Sequence, residues 1–208
     1  KDVHSVVMIQ CVGSRDEEHP YCSRICCSHA VKNALKLKEK NPDMNIYVLF
    51  RDVRTYGFYE TYYHEARGKG VIFMRYDLEN KPKVALQSGN LQVSLFDPAM
   101  NSPVTLLADR VVLSTGIEPN DHRELARIFE VELNPDGFFM EANPKSAPLD
   151  SVDRGKFFCG LCHSPNFIED AISQGSAVAA RAGALLSKEA VEEKAYLAYV
   201  IKRLCCGC

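Results

Sequence analysis

Two unbroken apolar runs and an amphipathic segment between them open the chain. Residues 3–10 and 45–50 are rich in β-branched and aromatic side chains without polar alternation, which is typical of strands buried on both faces. Between them, residues 28–40 place apolar side chains at helical spacing with lysines on the other face, and Asn41-Pro42-Asp43 ends that helix. The order strand, helix, strand predicts a βαβ unit with a right-handed crossover.

Shorter elements follow and predict a second sheet. Residues 56–67 predict another helix, and residues 71–76 and 110–114 predict further buried strands. Three apolar runs separated by turn residues predict an antiparallel meander: 84–86, 91–96 and 104–107. We therefore predict an α/β fold, a three-layer βαβ domain with a small antiparallel sheet.

The last third of the chain restarts the pattern after Pro119-Asn120, where we place the main boundary. A short helix is predicted at residues 121–129, a strand at 156–159, and the strongest helix of the chain at 165–187. Ser164 is the predicted N-cap of that helix and Pro165 its first residue. The apolar face of that helix is predicted to pack on a sheet and consists of Ile168, Ala171, Ile172, Gly175, Val178, Ala179 and Ala182.

Composition and charge exclude several classes of protein. The 208 residues are 46% hydrophobic and 25% charged, which is ordinary for a globular protein, and the net charge of −2 gives no field that would recruit nucleic acid or an acidic membrane. The first residues do not show the apolar stretch of a signal peptide, and no apolar run approaches the roughly 18–20 residues of a spanning helix. We expect a cytoplasmic protein without nucleic-acid partner or membrane insertion, whose nine cysteines serve metal or redox chemistry.

Four cysteines lie within seventeen residues directly after the first strand. Cys11, Cys22, Cys26 and Cys27 have the spacing Cys-x10-Cys-x3-Cys-Cys. Soft thiolates select iron–sulfur clusters or zinc, and a cubane binds one thiolate on each iron, so adjacent cysteines can hold different corners. A mononuclear zinc site usually draws on two separate Cys-x2-4-Cys pairs, which this segment lacks. We predict a [4Fe-4S] cluster, with buried structural thiols as the alternative.

The cysteine segment stands where a dinucleotide-binding domain carries its G-x-G-x-x-G turn. Only Gly13 remains of that pattern, so we expect no NAD(P) binding. Arg15 and Arg24 flank the predicted ligands and either raise the potential of an anionic cluster or are solvated. The charged residues at 51, 52 and 54 favour salt bridges or a partner surface over nucleotide recognition.

Four motifs together resemble the large flavoprotein component of heterodisulfide reductase, its A subunit. They are Cys11-Val-Gly-Ser-Arg15, Tyr21-Cys-Ser-Arg-Ile-Cys-Cys27, Asp52-Val-Arg-Thr55 and Ser114-Thr-Gly-Ile117. The resemblance covers about residues 3–187. It implies a thioredoxin-reductase-like flavoprotein with FAD, a [4Fe-4S] cluster on the four cysteines above and ferredoxin domains beyond. It also implies an oxidoreductase that passes electrons between FAD and [4Fe-4S] clusters.

The resemblance divides the chain into three parts. Residues 1–119 match an NAD(P)-binding-like domain that carries the cluster motif, and residues 120–190 match the C-terminal part of an FAD-binding domain. Residues 191–208 are a linker into a truncated ferredoxin-like domain, whose incomplete motif includes Cys205 and Cys208 as metal ligands. Because the chain starts at Lys1 rather than Met, we interpret it as a fragment that is inactive by itself.

The resemblance also implies a partial flavin site. Its cofactor-binding residues are Gly116, Gly160, Ser164, Pro165 and Asn166. The glycine turn that would hold the adenine end lies upstream of the chain. Cys159-x-x-Cys162 is interpreted as two incidental thiols near the flavin edge in preference to a redox pair or half of a metal site.

The implied partners are the other components of a redox complex. They are proteins like heterodisulfide reductase B and C, and hydrogenase or ferredoxin-type donors; a homodimer is compatible with the pattern. Two other functions stay open. One is a zinc-stapled scaffold without redox activity, and the other is an NAD(P)-linked disulfide reductase that uses Cys26-Cys27 or Cys159 and Cys162.

Overall fold

The fold is built on a four-stranded parallel sheet, as seen in a computed structural model that describes residues 2–87, 89–190 and 200–205. Its strands are β1 (Ser5–Ile9), β2 (Asn45–Phe50), β3 (Ile72–Arg75) and β7 (Arg110–Leu113), in the spatial order β3-β2-β1-β7. Val7 of β1 lies opposite Tyr47 of β2 and Val111 of β7. The strands predicted at residues 3–10 and 45–50 are confirmed, with four of five side chains buried in β1 and three of six in β2. The strand at residues 110–114 is also present, but it is not buried as predicted, because β7 lies at the edge of the sheet and leaves Val112 and Leu113 exposed.

Two helices cover one face of this sheet. α1 (Cys26–Lys40) follows β1, and α2 (Glu60–Gly68) follows β2 after a short 3-10 turn. The buried stripe of α1 includes Val31 and Ala34, which pack with Ile46 and Val48 of β2 in one core. The βαβ unit is confirmed, but α1 begins two residues earlier than predicted and places Cys26 and Cys27 in its first turn.

The antiparallel meander covers the opposite face of the parallel sheet. It consists of β4 (Lys83–Gln87), β5 (Asn90–Asp97) and β6 (Ser102–Ala108), with β5 in the middle. Val93 and Leu95 of β5 pack with Val7 and Leu49 of the parallel sheet in a second core. The three layers and the α/β class predicted from the sequence are confirmed.

The last third holds α3 (Arg123–Phe129), α4 (Ile168–Leu186) and a small core of Ala126, Phe139 and Phe158, to which α4 contributes no buried side chain. The predicted strand at residues 156–159 is wrong. Phe157 makes only one isolated bridge, to Asp150, because no neighbouring strand extends the pairing.

The start of α4 also differs from the sequence prediction. The helix begins at Ile168 with Phe167 as its N-cap, so Ser164 and Pro165 lie outside it. Asn166 explains the delay, since its side-chain amide donates to the carbonyl and hydroxyl oxygens of Ser164 and holds this segment in a turn. No residue of α4 is buried by the part of the chain that the structure describes, and Ile168 is 77% exposed, so the predicted packing on a sheet is not made there.

Within the described ranges, every helix is too short or too polar to cross a membrane.

Candidate metal centre

The four predicted ligands meet at one edge of the parallel sheet. Cys11 follows the carboxyl end of β1, Cys22 lies in the loop beyond it, and Cys26 and Cys27 open α1. All four line one small pocket, together with Arg15 and other residues of the loop. A dinucleotide fold holds a pyrophosphate at this position, where the amides of the first helical turn favour an anion. The thiols therefore occupy the anion site of the fold.

Burial and mutual proximity oppose ionisation of these thiols. Burial raises the pKa of Cys26 to about 11, and the neighbouring thiolates of Cys27, Cys11 and Cys22 add to that rise. Burial likewise raises the pKa of Cys27, with further contributions from Cys11 and Cys22. Four thiolates in one pocket need positive charge among them, which bound iron or zinc supplies.

The backbone of the cysteine loop is strained at three positions. Cys11, Arg15 and Arg24 have φ values of 57°, 61° and 62°, in the left-handed region that side-chain-bearing residues rarely adopt. Each such residue costs on the order of 1–3 kcal/mol and persists where the surroundings fix it, often at a functional site. All three lie in a loop whose side chains converge on the pocket.

Two glycines pack the loop against the end of β7. A Cβ added to Gly13 would lie 2.1 Å from the carbonyl oxygen of Thr115, and one added to Gly116 would lie 2.8 Å from the carbonyl oxygen of Gly13. The amide of Val12 donates to the carbonyl of Ser114 at 3.0 Å. The structure gives Gly116 this packing role, and its predicted contact with flavin stays a prediction.

Side chains of the loop complete the same junction. The amide of Ile117 donates to Ser23 Oγ at 2.9 Å, and the Tyr21 hydroxyl donates to the carbonyl of Ile117 at 2.9 Å. Ser23 is 1% exposed. The motifs 21–27 and 114–117, which are far apart in sequence, therefore form one structural unit.

Arg15 places a positive charge beside the thiols. Its Nη2 donates to Asp52 Oδ2 at 2.6 Å, its carbonyl accepts from Arg51, and its charge lowers the pKa of Cys11 against the larger effect of burial. The expected salt bridges are observed at Asp52, which pairs with Arg15 and lies 4.0 Å from Arg54 Nη2, whereas Arg51 binds a backbone carbonyl. Its Nη1 is buried and has no hydrogen-bond partner among the described residues. A buried donor beside four thiols, on a side chain that also interacts with Cys11, fits an anionic acceptor such as cluster sulfide.

The predicted flavin residues of the last third also form a compact turn. Gly160 has φ +73°, donates its amide to Gln174 Oε1 at 2.7 Å, and accepts from Asn166 Nδ2 at 3.1 Å. Asn166 is 5% exposed. Gly160, Ser164 and Asn166 are therefore brought together, and their contact with flavin stays a prediction.

His163 anchors this turn through two acceptors. Its Nε2 lies 3.1 Å from Gln174 Oε1, an oxygen that the amide of Gly160 already identifies as an acceptor, and its Nδ1 contacts the carboxylate of Glu141. Both nitrogens of this almost fully buried ring thus lie against side-chain oxygens. Sequence reasoning missed this network, since no local spacing connects Glu141, His163 and Gln174.

A cavity of about 670 Å³ lies between α1, the aromatic turn before α2 and the start of α4. Apolar and aromatic side chains dominate it, with Tyr59 and Phe167 stacked at a centroid distance of 5.1 Å. Lys32 and Asn166 also line it, and the nearby Ser28 Oγ is buried without a hydrogen-bond partner among the described residues. Its size and mixed lining suit a planar aromatic cofactor with polar edges.

The remaining cysteines form no second centre in the part of the chain that is described. Cys162 donates its S–H to the carbonyl of Cys159 at 3.1 Å, and Cys159 is exposed. Cys205 is exposed, and Cys208 lies outside the described residues. In the described ranges, the cysteine loop included, no three His, Cys, Asp or Glu side chains converge on a single metal ion.

Comparison with solved structures identifies the class of fold. The chain superimposes on the thioredoxin reductase of T. acidophilum with a TM-score of 0.55 at 14% identity, covering 88% of this chain and 53% of that one. The thioredoxin reductase of Lactococcus lactis gives a TM-score of 0.54 at 13% identity, with 88% and 52% coverage. The fold is therefore that of thioredoxin-reductase-like dinucleotide-binding domains, as predicted.

Sequence comparison identifies relatives of this chain. No protein-family model matches the chain. It is 38% identical over 99% of its length to an Archaeoglobus profundus protein that is named as like the A subunit of heterodisulfide reductase. It is 37% identical over 100% of its length to the iron-sulfur A subunit of the CoB–CoM heterodisulfide reductase of Methanocaldococcus jannaschii. It spans 29% and 32% of the lengths of these relatives. The predicted resemblance is confirmed: the chain is homologous to one region of the A subunit of heterodisulfide reductase.

Proposed function

We propose that this chain is the cluster-bearing region of a heterodisulfide-reductase-like oxidoreductase, and that it passes electrons between FAD and [4Fe-4S] clusters. The observation that carries the proposal is the set of four thiols in the anion site at the start of α1. Homology to iron–sulfur subunits supports it, because the relatives that the chain matches are named for this chemistry.

The residues present fit a cubane cluster. Cys11, Cys22, Cys26 and Cys27 would hold it, and the cluster would accept and release one electron at a time. The protein sets its potential, because Arg15 and the amides at the start of α1 supply positive charge to an anionic centre. No side chain need act as general acid or base, since the cofactors carry the redox chemistry.

The flavin side of the proposal rests on the cavity of about 670 Å³. We propose that it receives part of FAD, with Asn166 and the turn from Gly160 to Pro165 as one wall, and that the adenine half of the site lies in the portion of the relatives that this chain does not span. Gly116, Gly160, Ser164, Pro165 and Asn166 remain the proposed cofactor-binding residues.

Domains and partners follow as proposals from the same homology. Residues 1–119 would be the cluster domain, 120–190 the end of an FAD domain, and 191–208 the linker to a ferredoxin-like domain with Cys205 and Cys208. The exposed apolar face of α4 supports this division, since an FAD-domain sheet would cover it. Relatives named as H2:CoB-CoM heterodisulfide, ferredoxin reductase subunits support partner proteins in a redox complex, and we place that complex in the cytoplasm.

Metal and sulfide analysis of anaerobically prepared protein tests the cluster. We expect about four iron and four sulfide per chain. Replacing Cys22 with Ser should remove most of both, because a corner ligand is lost. Replacing Cys162 with Ser is the matched control and should leave both unchanged, because Cys162 lies outside the pocket. Stoichiometric zinc without sulfide in the native protein would show that the scaffold alternative is right.

A further inference from the structure

Arg24 connects the cysteine loop to the turn proposed for flavin. Its amide donates to Cys22 Sγ at 3.3 Å, and its Nη1 donates to Asn166 Oδ1 at 2.7 Å and to the carbonyl of Pro165 at 3.4 Å. Its Nη2 donates to the Tyr56 hydroxyl at 3.2 Å. One residue thus contacts a proposed cluster ligand through its backbone and the flavin turn through its side chain, across 142 positions of sequence.

The orientation of Asn166 specifies Arg24 as its partner. Both donor hydrogens of the Asn166 amide are used toward Gly160 and Ser164, so Oδ1 remains as an acceptor. That acceptor is buried, since Asn166 is 5% exposed, and the guanidinium of Arg24 satisfies it. The side chain of Arg24 therefore depends on the conformation of the turn that holds Asn166.

The backbone of Arg24 links this side-chain contact to Cys22, because the Arg24 amide donates to Cys22 Sγ. Its φ of +62° is a strained conformation that a non-glycine residue keeps only while its surroundings hold it. When the side chain loses its partners, the backbone can relax and the N–H···S bond to Cys22 lengthens. Amide hydrogen bonds to cluster thiolates raise the reduction potential of a cluster. Lengthening the bond from the Arg24 amide to Cys22 would therefore lower that potential.

We propose that Arg24 is a positioning residue that couples flavin binding to the reduction potential of the cluster. Ordering of residues 160–166 by flavin fixes the guanidinium, which fixes the Arg24 amide on Cys22 and favours the reduced cluster. By thermodynamic reciprocity, the reduced cluster binds FAD more tightly by the same factor. The inference rests on the proposed function, because it requires both the cluster and FAD.

Redox titration of the full-length holoprotein, followed by EPR of the cluster, tests the coupling. At fixed potential we expect the ratio of reduced to oxidised cluster to be about tenfold higher with FAD than after FAD removal, which is about 59 mV for one electron. Arg24→Met should abolish that difference. FAD affinity gives a second readout. The native protein should bind FAD about tenfold more tightly when its cluster is reduced than when it is oxidised. The Arg24→Met variant should bind FAD equally in both states.

Matched variants separate coupling from simple charge removal. Arg54→Met removes a charge that lines the same pocket without contact to Asn166, so it should lower the potential and keep the FAD dependence. Arg24→Lys keeps the charge but not the forked contacts and should lose most of the dependence. Tyr56→Phe removes one hydrogen bond of Nη2, which also lies 4.0 Å from Asp170 Oδ2, so it should reduce the FAD dependence. This variant supplies the test if Arg24→Met fails to retain the cluster.

The outcomes distinguish this inference from the proposed function. Absence of a cluster signal in the native holoprotein would overturn the proposed function itself. A normal cluster whose potential is the same with and without FAD, or a dependence that survives in Arg24→Met, would overturn the coupling by Arg24 and leave the proposed function standing.

Discussion

Replacement of Gly13 with Ala gives a direct test of how the cysteine loop is held. The added Cβ would lie 2.1 Å from the carbonyl oxygen of Thr115, whereas real Cβ contacts shorter than 3.0 Å are essentially never seen. Both groups are fixed, because one is backbone and the other is attached to backbone. One of the two turns must therefore retreat by about 1 Å.

The cost can be worked from the bonds at that junction. Overpacking of this kind costs about 1–3 kcal/mol. The retreat also lengthens the bonds from Val12 to Ser114 and from Ile117 to Ser23, each with a net value of about 1 kcal/mol. We expect Gly13→Ala to lower the free energy of unfolding by about 3–5 kcal/mol, a large part of the 5–15 kcal/mol typical of a native domain.

Urea unfolding followed by circular dichroism measures this loss, since the chain has no tryptophan for fluorescence. Gly175→Ala is the matched control: Gly175 lies inside α4 with no neighbour within 4 Å of the added Cβ, so alanine should stabilise the protein by up to about 1 kcal/mol. Equal stability of Gly13→Ala and the native protein would refute the close approach of the two turns. The cluster content of Gly13→Ala should also fall, since Cys11 lies two residues away.

Two further predictions concern the base of the loop and its lack of a nucleotide turn. Burial raises the pKa of Tyr76 from 10.0 to about 12, and its hydroxyl donates to the carbonyl of Gln10. Because the folded state holds the phenol neutral to a higher pH, the contribution of Tyr76 to stability is present below pH 10 and is lost as the pH rises to about 12. Over that range, the free energy of unfolding measured in urea should fall by roughly 2–3 kcal/mol more in the native protein than in Tyr76→Phe. Parallel losses in the two proteins would contradict this. Calorimetry should detect no micromolar binding of NADH or NADPH, because Gly13 is the one glycine of the turn and is packed on Thr115; a micromolar dissociation constant would show the nucleotide interpretation to be right.

The sequence predicted the central layers well because their signals are local. A strand buried on both faces must be apolar at every position, and β1 and β2 carry that pattern within one or two residues of their observed bounds. The stripe of α1 and the turn residues of the meander are equally local. The proposed ligands could be predicted for the same reason, since four cysteines within seventeen residues are recognised from local spacing alone.

The predictions that failed depended on neighbours that the local pattern does not contain. Residues 156–159 have strand composition, but a strand needs a partner to extend its ladder, and Phe157 finds only one bridge. Ser164 and Pro165 make a good helix start by composition, yet the amide of Asn166 binds Ser164 and delays the helix to Ile168.

The sequence by itself therefore determined the layers, the class of fold and the four cysteines that we propose as cluster ligands. Only the tertiary structure decided how the cysteine loop is held and what it contacts: Gly13 against Thr115, and Arg24 against Asn166. The physical reason is that strand and helix patterns reflect burial of neighbouring residues, whereas these contacts join backbone and polar atoms more than a hundred positions apart and leave no periodic mark along the chain.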